Sequence, residues 1–145
     1  MSNPIQKRPE GFHTVTPYLV VNGAAGVIEF LTRAFDANQV GDPFKGPDGK
    51  IMHAVVRIGD SMIELGDSPA EPMPANLHMY VDDVDAVYRR ALTAGGVSVR
   101  EPQTTFYGDR SAAVKDPGGS SWWLACHVED VSEEEIIRRA KAHSE

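Results

Sequence analysis

Three side chains of the kinds that bind metal ions or move protons occupy matching positions on predicted strands: His53, Glu64 and His78. Imidazole and carboxylate groups are ordinary ligands of Zn²⁺, Ni²⁺ and Fe²⁺, and a carboxylate among aromatic side chains can act as a general base. The two histidines can equally be hydrogen-bonding residues of a binding surface, and Glu64 can pair with Arg57 on the neighbouring strand. A divalent metal site at His53, Glu64 and His78 and a catalytic role for Glu64 are therefore hypotheses beside plain ligand binding.

The face that these residues share follows from a predicted hairpin with the two-residue turn Gly59-Asp60. Glycine at the first central position suits a type II′ turn, which needs a positive φ there. Residues directly opposite one another in a hairpin point to the same face. Arg57 therefore lies opposite Met62, and Glu64 and His53 project from that same face. The other face of both strands is uniformly apolar and is the surface that a helix would cover.

The same succession of elements occurs twice along the chain, at a spacing of about 60 residues. Strand-like segments at 18–22 and 78–82 each lead into a stretch with the i, i+3, i+4, i+7 spacing of a helix. A strand, a tight turn and another strand follow in both halves. Each half therefore reads as β-α-β-β-β.

We predict an α+β fold of two such modules, at about residues 12–67 and 75–127, within a single domain spanning 1–145. A capping box that begins at Ser132 predicts an additional C-terminal helix at about 132–143. The strands of each module bury one face under a helix and leave the other uncovered. Two modules side by side would curve these free faces into a cup-shaped mixed sheet, and we predict that this concave surface is the ligand-binding site.

Adjacent tryptophans in the second half must point to opposite faces of the sheet. A two-residue turn at Gly118-Gly119 pairs Val114 with Trp123, which places Trp123 in the cup and Trp122 in the packed layer. Cys126 has the parity of Trp122, so we expect it to be buried and inert.

Alternation along the first strand of each module adds further polar and aromatic side chains to the cup. Phe44 stands in a turn-rich segment, 41–49, that we expect to be a surface loop and that could extend an aromatic wall. Arg110 could grip an anionic ligand or fix its own loop by pairing with Asp109. The predicted cup residues are Thr16, Tyr18, His53, Arg57, Glu64, Asn76, His78, Tyr80, Arg110 and Trp123.

The composition restricts the partners of this chain of 145 residues, which carries a formal net charge of −7 and one cysteine. A negative field repels nucleic acid and anionic membranes, and a single cysteine excludes an internal disulfide framework. No apolar run approaches the roughly 20 residues of a membrane span, and the N-terminus lacks the apolar segment of a secretory signal. We expect a cytoplasmic protein whose partner is a small molecule.

Eight short motifs follow one another along the chain: TPYLVV from Thr16, IEFL from Ile28, HA at His53, RIGDS from Arg57, YVDDVD from Tyr80, FYGDR from Phe106, DPGG from Asp116 and HVEDV from His127. Their order resembles that of the vicinal oxygen chelate superfamily, which includes glyoxalase I, bleomycin-resistance proteins and extradiol dioxygenases, and is most similar to its PhnB-like branch. This resemblance implies paired β-α-β-β-β modules around a cup, commonly in a homodimer.

The resemblance also implies where a metal would lie. Metal-dependent members place one ligand on each of four strands, typically His, Glu, His and Glu, and these positions fall on Thr16, Glu64, Asn76 and Trp123. Only Glu64 is an ordinary ligand, and an indole cannot ligate a metal. The implied function is sequestration of a small molecule in a metal-free cup, as in the bleomycin-resistance type, with no cofactor. The alternative is a lyase, isomerase or dioxygenase that holds Zn²⁺, Ni²⁺ or Fe²⁺ at the displaced His/Glu set described above.

Overall fold

Nine strands and three helices follow one another in a computed structural model that describes residues 4–144. The elements are β1 (Tyr18–Val21), α1 (Ala24–Phe35), β2 (Asn38–Gln39), β3 (Phe44–Lys45), β4 (Ile51–Ile58), β5 (Ser61–Asp67), β6 (Asn76–Tyr80), α2 (Val84–Thr93), β7 (Val97–Thr104), β8 (Asp109–Lys115), β9 (Ser121–His127) and α3 (Glu133–Ser144).

The strands divide into two mixed sheets. The first has the order β1-β5-β4-β2, with β3 also paired to β4, and the second has the order β6-β9-β8-β7. In each sheet the first strand runs parallel to its neighbour, and the other pairs are antiparallel. The predicted α+β fold with an additional C-terminal helix is thus confirmed. The segment 41–49, predicted as a loop, contains the short strand β3 because Phe44 and Lys45 pair with β4.

The first hairpin has the predicted register. Arg57 pairs with Met62, and Val55 pairs with Glu64. Gly59 has a φ of 57°, which is the positive value that its turn position requires. The apolar side chains on the other face of β4 and β5 are buried in a core that they share with α1.

The predicted register of the second hairpin is wrong by one residue. Val114 pairs with Trp122, and Ala113 pairs with Trp123. The turn is longer than two residues, because the N–H of Asp116 donates to the carbonyl of Ser120 at 2.8 Å and three residues lie between them. The faces of the tryptophans are nevertheless as predicted, since they follow from strand alternation alone: Trp122 is 2% exposed, and Trp123 is half-buried on the other face.

One hydrophobic core joins the two halves through α1. The ring centroid of Phe35, at the end of α1, lies 5.3 Å from that of Trp122 in the second sheet. A Cβ atom on Gly118 would lie 2.8 Å from Val27 Cγ2, so a glycine is needed where the second hairpin turn approaches α1. The helices therefore pack against the same faces of the sheets that the sequence predicts to be apolar.

Asp67, the last residue of β5, supplies the cap that α1 lacks at its own N-cap residue, Gly23. Its Oδ1 accepts hydrogen bonds from the N–H groups of Gly23 (2.9 Å) and Ala24 (2.8 Å), and its Oδ2 accepts from Ile51 N–H (2.9 Å). Burial alone would raise the pKa of Asp67, but these three donors and the nearby Lys50 outweigh it and lower the pKa. One carboxylate thus ties the start of α1 and the start of β4 to the end of β5.

The C-terminal helix α3 begins at the predicted capping box, where Ser132 Oγ accepts a hydrogen bond from Glu135 N–H at 3.2 Å. Hydrogen bonds from Arg138 and Arg139 lower the pKa of Glu135 to about 2. Arg139 also donates to the carbonyl oxygen of Phe106 at 3.2 Å. These contacts fix α3 against the turn between β7 and β8.

His127, at the end of β9, holds the segment that leads into α3. Its Nδ1 lies 2.9 Å from an oxygen of Asp109, and its Nε2 lies 2.8 Å from an oxygen of Asp130. The hydrogen bond with Asp109, followed by that with Asp130, raises the pKa of His127. The ring therefore links β8, β9 and the connection to α3 in a way that depends on its charge.

The two sheets are not continuous with each other. Within residues 4–144, a single isolated bridge outside the named strands connects β1 to the segment before β6, with Met73 N–H donating to Val20 O at 2.8 Å. We use the term open face for the side of each sheet that is turned away from the helices. None of the described helices has the length and apolarity needed to cross a membrane.

Candidate functional site

A hydrogen-bonded histidine and carboxylate lie on the open face of the first sheet. His53 Nε2 is 2.7 Å from Glu64 Oε1, and both side chains are partly exposed. The sequence also allows Glu64 to pair with Arg57, but the structure pairs it with His53. Both residues flank Val55, which lies opposite Glu64, and the side chain of His53 is the one that reaches it. A fixed imidazole–carboxylate pair of this kind can hold a polar group of a ligand or pass a proton to it.

Aromatic side chains surround this pair. The Tyr18 ring stacks on His53 with centroids 6.1 Å apart and planes at 30°. Its hydroxyl donates to the carbonyl of Met52 at 3.4 Å. The Tyr18 hydroxyl can reach this carbonyl because Gly66 has no side chain. A Cβ atom on Gly66 would lie 2.5 Å from Met52 O and 3.2 Å from the Tyr18 hydroxyl oxygen. Phe44 pairs with His53 on the neighbouring strand, so it joins the same face.

Trp123 is the centre of the open face of the second sheet. Its Nε1 donates to Asn76 Oδ1 at 2.6 Å. Next to it, His78 and Tyr80 have ring centroids 5.1 Å apart. The open faces of both sheets therefore consist of aromatic side chains with a few hydrogen-bonded polar groups among them.

Arg100 is a residue of this face that the sequence analysis did not identify. Its guanidinium carbon lies 6.0 Å from the centroid of the Trp123 ring, in the geometry of a cation–π contact. Arg100 pairs with Ala113, which in turn pairs with Trp123. The alternation of Val97 and Val99 with polar residues indicates a strand. The register of β7 shifts on both sides of Arg100, so the alternation does not predict which face of the sheet Arg100 lies on.

Arg110 does not lie on the open face, contrary to its predicted place in the cup. It pairs with Cys126, which shares the helix-facing side of β9 with Trp122. From there its guanidinium donates to both carboxylate oxygens of Asp85, on α2, at 2.9 and 3.1 Å. Hydrogen bonding from Arg110 holds the pKa of Asp85 below its ordinary value. Arg110 thus pairs with Asp85 and not with Asp109, the partner that one of its two predicted roles required. Cys126 is half-buried, whereas full burial was expected.

Thr16 and Tyr18 line two different cavities, and the side chain of Arg57 is exposed on β4. Thr16, which precedes β1, lines a cavity of about 450 Å³ between the sheets together with His78 and Tyr80. Tyr18 lines a different cavity, of about 730 Å³, on the first sheet. Arg57 is exposed. Among residues 4–144, no described hydrogen bond, ion pair or ring contact joins the open-face side chains of one sheet to those of the other, although residues of both sheets line the cavity of about 450 Å³.

Most of the chain matches the model of one known protein family. Residues 11–124 match the model of the Glyoxalase/Bleomycin resistance protein/Dioxygenase superfamily. The chain belongs to this superfamily.

The chain is similar in sequence to a mycobacterial protein and similar in fold to several solved structures. It is 37% identical over 135 residues to the uncharacterized protein Mb0911c of Mycobacterium bovis, covering 84% of this chain and 88% of that one. Its fold is similar to that of TioX from Micromonospora sp. ML1, with a TM-score of 0.63, 21% identity and coverage of 83% and 100%. It is also similar to a glyoxalase-related enzyme from Fulvimarina pelagi, with a TM-score of 0.63, 17% identity and coverage of 79% and 87%.

The four positions at which the resemblance places the superfamily's metal ligands do not form a suitable donor set here. They are Thr16, Glu64, Asn76 and Trp123, and the amide oxygen of Asn76 is engaged by the indole of Trp123. The alternative set is also not assembled in one chain, because His53 and Glu64 lie on the first sheet and His78 on the second. Among the residues that the structure describes, no three His, Cys, Asp or Glu side chains come together as a metal site.

Proposed function

We propose that this superfamily member binds a small molecule on its open faces without a metal ion, in the manner of the bleomycin-resistance type, and that it belongs to the PhnB-like branch. The observation that carries the proposal is the hydrogen bond between Trp123 and Asn76. This hydrogen bond joins two of the four positions at which a metal-dependent member would hold its ion. At one of these positions the side chain is therefore an aromatic ring and not a metal-ligating group.

The ligand that suits these faces is a planar or aromatic molecule. Tyr18, Tyr80 and Trp123 offer ring faces for stacking, and stacked aromatic pairs contribute about 0.5–1.5 kcal/mol each beyond the area they bury. The His53–Glu64 pair adds one fixed polar contact. A few oriented polar groups within an aromatic surface are typical of small-molecule sites.

A second copy of the chain completes the cup in this proposal. Parts of each open face have no cover among residues 4–144: the exposed fractions of Tyr80 (72%) and Phe44 (64%) are high for large apolar side chains. Burying such a surface between two copies stabilises a dimer through the hydrophobic effect. We therefore propose a homodimer, acting in the cytoplasm on a small molecule.

Ligand screening tests the binding function directly. Thermal-shift measurements with bleomycin and a library of small aromatic compounds identify a binder, and calorimetric titration then measures its affinity. We expect Trp123→Ala to weaken binding by at least about tenfold, because one stacking contact and the order of the face are lost. Ile137→Ala, which truncates an exposed side chain on α3, is the matched control and should bind normally. Equal affinity in both variants would contradict the proposal.

The second candidate is a metal-dependent lyase, isomerase or dioxygenase, and the observation that favours it is the 2.7 Å approach of His53 to Glu64. Two ordinary ligands are thus already adjacent, and His78 of a second copy could join them to hold Zn²⁺, Ni²⁺ or Fe²⁺. Turnover distinguishes this candidate from a binder, and activity that survives exhaustive chelation would reject it. If a metal-independent activity is found, an unchanged rate in Glu64→Gln would reject Glu64 as its base.

A further inference from the structure

A third cavity lies at the opposite end of the second sheet from the hairpin turn at Gly118. It has a volume of about 460 Å³ and is bounded by the end of β7, the turn between β7 and β8, and α3. Its lining includes Arg100, Gln103, Thr104, Phe106, Tyr107 and His143.

The helix α3 forms one wall of this cavity and is held firmly in place. The ring of His143 lies 5.6 Å from that of Phe106, centroid to centroid. Arg139 bonds to the Phe106 carbonyl and forms an ion pair with Glu129 at 2.9 Å. The turn itself fits closely against the segment before α3, since a Cβ atom on Gly108 would lie 2.2 Å from Glu129 O. The cavity is therefore a built feature of the fold.

The lining of this cavity is basic, although the chain has a net charge of −7. It contains a guanidinium and an imidazole and no carboxylate. Two acidic groups beside the turn between β7 and β8 are already engaged: Asp109 pairs with His127, and Glu129 pairs with Arg139. Glu101, which follows Arg100 in the chain, is exposed and does not line the cavity. An anion inside the cavity would thus meet a positive group and no carboxylate of the lining.

Arg100 is the group that such an anion would meet. Within residues 4–144 it forms none of the described ion pairs, in contrast to Arg110 and Arg139 at the same end of the sheet. Its neutral neighbour is Gln103, whose amide oxygen, when oriented toward it, accepts from Nε at 2.8 Å and also from Nη2, which leaves the other N–H groups of the guanidinium for a ligand. A planar guanidinium with donors to spare matches the two oxygens of a carboxylate.

Arg100 also connects the cavity to the open face. The same guanidinium that lines the cavity lies over the Trp123 ring. Ala113 stands between the two residues in the sheet and is fully buried, so Arg100 and Trp123 are neighbours on the open face. A molecule that contacts the exposed part of Trp123 can therefore place a substituent against Arg100.

We infer that this cavity binds the carboxylate of an aromatic ligand, with Arg100 as the residue that recognises the negative charge. This inference rests on the proposed function and narrows its ligand class to aromatic carboxylates. His143 adds a hydrogen-bond donor from the opposite wall, and Phe106 and Tyr107 enclose the apolar part of the substituent.

A pair of probes that differ only in charge tests the inference. Calorimetric titrations with 2-naphthoate and with its neutral analogue 2-naphthamide are compared at pH 7.5 and low salt. We expect the wild-type chain to bind the carboxylate at least about tenfold more tightly, because the charge-assisted hydrogen bonds to Arg100 are made only with the anion.

Three variants locate the effect. Arg100→Gln should abolish the preference for the carboxylate, and Arg100→Lys should keep part of it because the charge remains while the planar fork is lost. Arg89→Gln removes the same charge from an exposed position on α2 and should keep the full preference. Circular dichroism checks that each variant is folded.

The outcomes separate this inference from the proposed function. Equal binding of the two probes by the wild type would overturn the carboxylate site and leave aromatic binding standing. A preference that persists in Arg100→Gln would overturn the assignment of Arg100. Failure of both probes to bind would contradict the inference and the aromatic open face together.

Discussion

Asp116 closes the turn of the second hairpin and holds the indole of Trp122 in the core. Its Oδ1 accepts from the N–H groups of Gly118 (2.8 Å) and Ser120 (3.1 Å), and its Oδ2 accepts from the indole N–H of Trp122 (2.8 Å). Asp116, Ser120 and Trp122 are 4%, 0% and 2% exposed, so water cannot replace the carboxylate.

The expected cost of Asp116→Ala follows from these contacts. Two buried donors, on Ser120 and Trp122, lose their acceptor, and each unsatisfied buried group costs about 1–3 kcal/mol. The half-exposed N–H of Gly118 can be hydrated and adds little. The free energy of unfolding should therefore fall by about 2–6 kcal/mol, a large part of the stability of an ordinary domain.

Denaturant unfolding followed by circular dichroism measures this loss, and a double-mutant cycle isolates the indole contact. Trp122→Phe removes the donor, so Asp116→Ala should cost about 1–3 kcal/mol less in that background. A loss below about 1 kcal/mol in the wild-type background, or no coupling in the cycle, would refute the reasoning.

Three other predictions concern packing and pH. Gly66→Ala should destabilise the first sheet and displace Tyr18, because the new Cβ atom meets Met52 O at 2.5 Å; thermal unfolding checks the first effect, and ring-proton shifts in an NMR spectrum check the second. The pKa of Asp67 is lower in the folded state, so its stabilising effect is present above the pKa of the unfolded state and is lost as the pH falls. In Asp67→Asn the free energy of unfolding should therefore change less with pH in the acid range than it does in the wild type, as denaturant unfolding at several pH values would show. Because the pKa of His127 is raised, chiefly by Asp109, its effect is complete below the unfolded-state pKa and is lost as the pH rises through the folded-state value. NMR titration should give a pKa above the ordinary 6.5, and an unshifted value would contradict the contact.

The duplicated pattern and the first hairpin could be predicted from the sequence because local rules decide them. A glycine at a position that needs a positive φ and a strict alternation of side chains fix which residues share a face. The same alternation separated Trp122 from Trp123 even though the pairing of their strand was wrong by one residue. That error arose because Asp116 closes a longer turn through three hydrogen bonds, which a glycine pair alone does not reveal.

The candidate site was less accessible to sequence reasoning because its contacts are diagonal or pass between elements. Whether Glu64 meets His53 or Arg57 depends on the twist of the strands, which residue spacing does not give. Arg110 was misplaced because its partner, Asp85, lies on a helix 25 positions away in the chain. Arg100 was missed because the bulges on β7 interrupt the alternation.

The central claim is that the open faces bind a small molecule without a metal ion, and metal analysis tests it most directly. Wild-type protein and the Glu64→Ala variant are incubated in turn with Zn²⁺, Ni²⁺ and Fe²⁺, dialysed extensively and measured by mass spectrometry. We predict metal contents far below one ion per chain that are the same in both proteins. About one ion per wild-type chain, lost in Glu64→Ala, would contradict the claim and favour a metal site at His53 and Glu64.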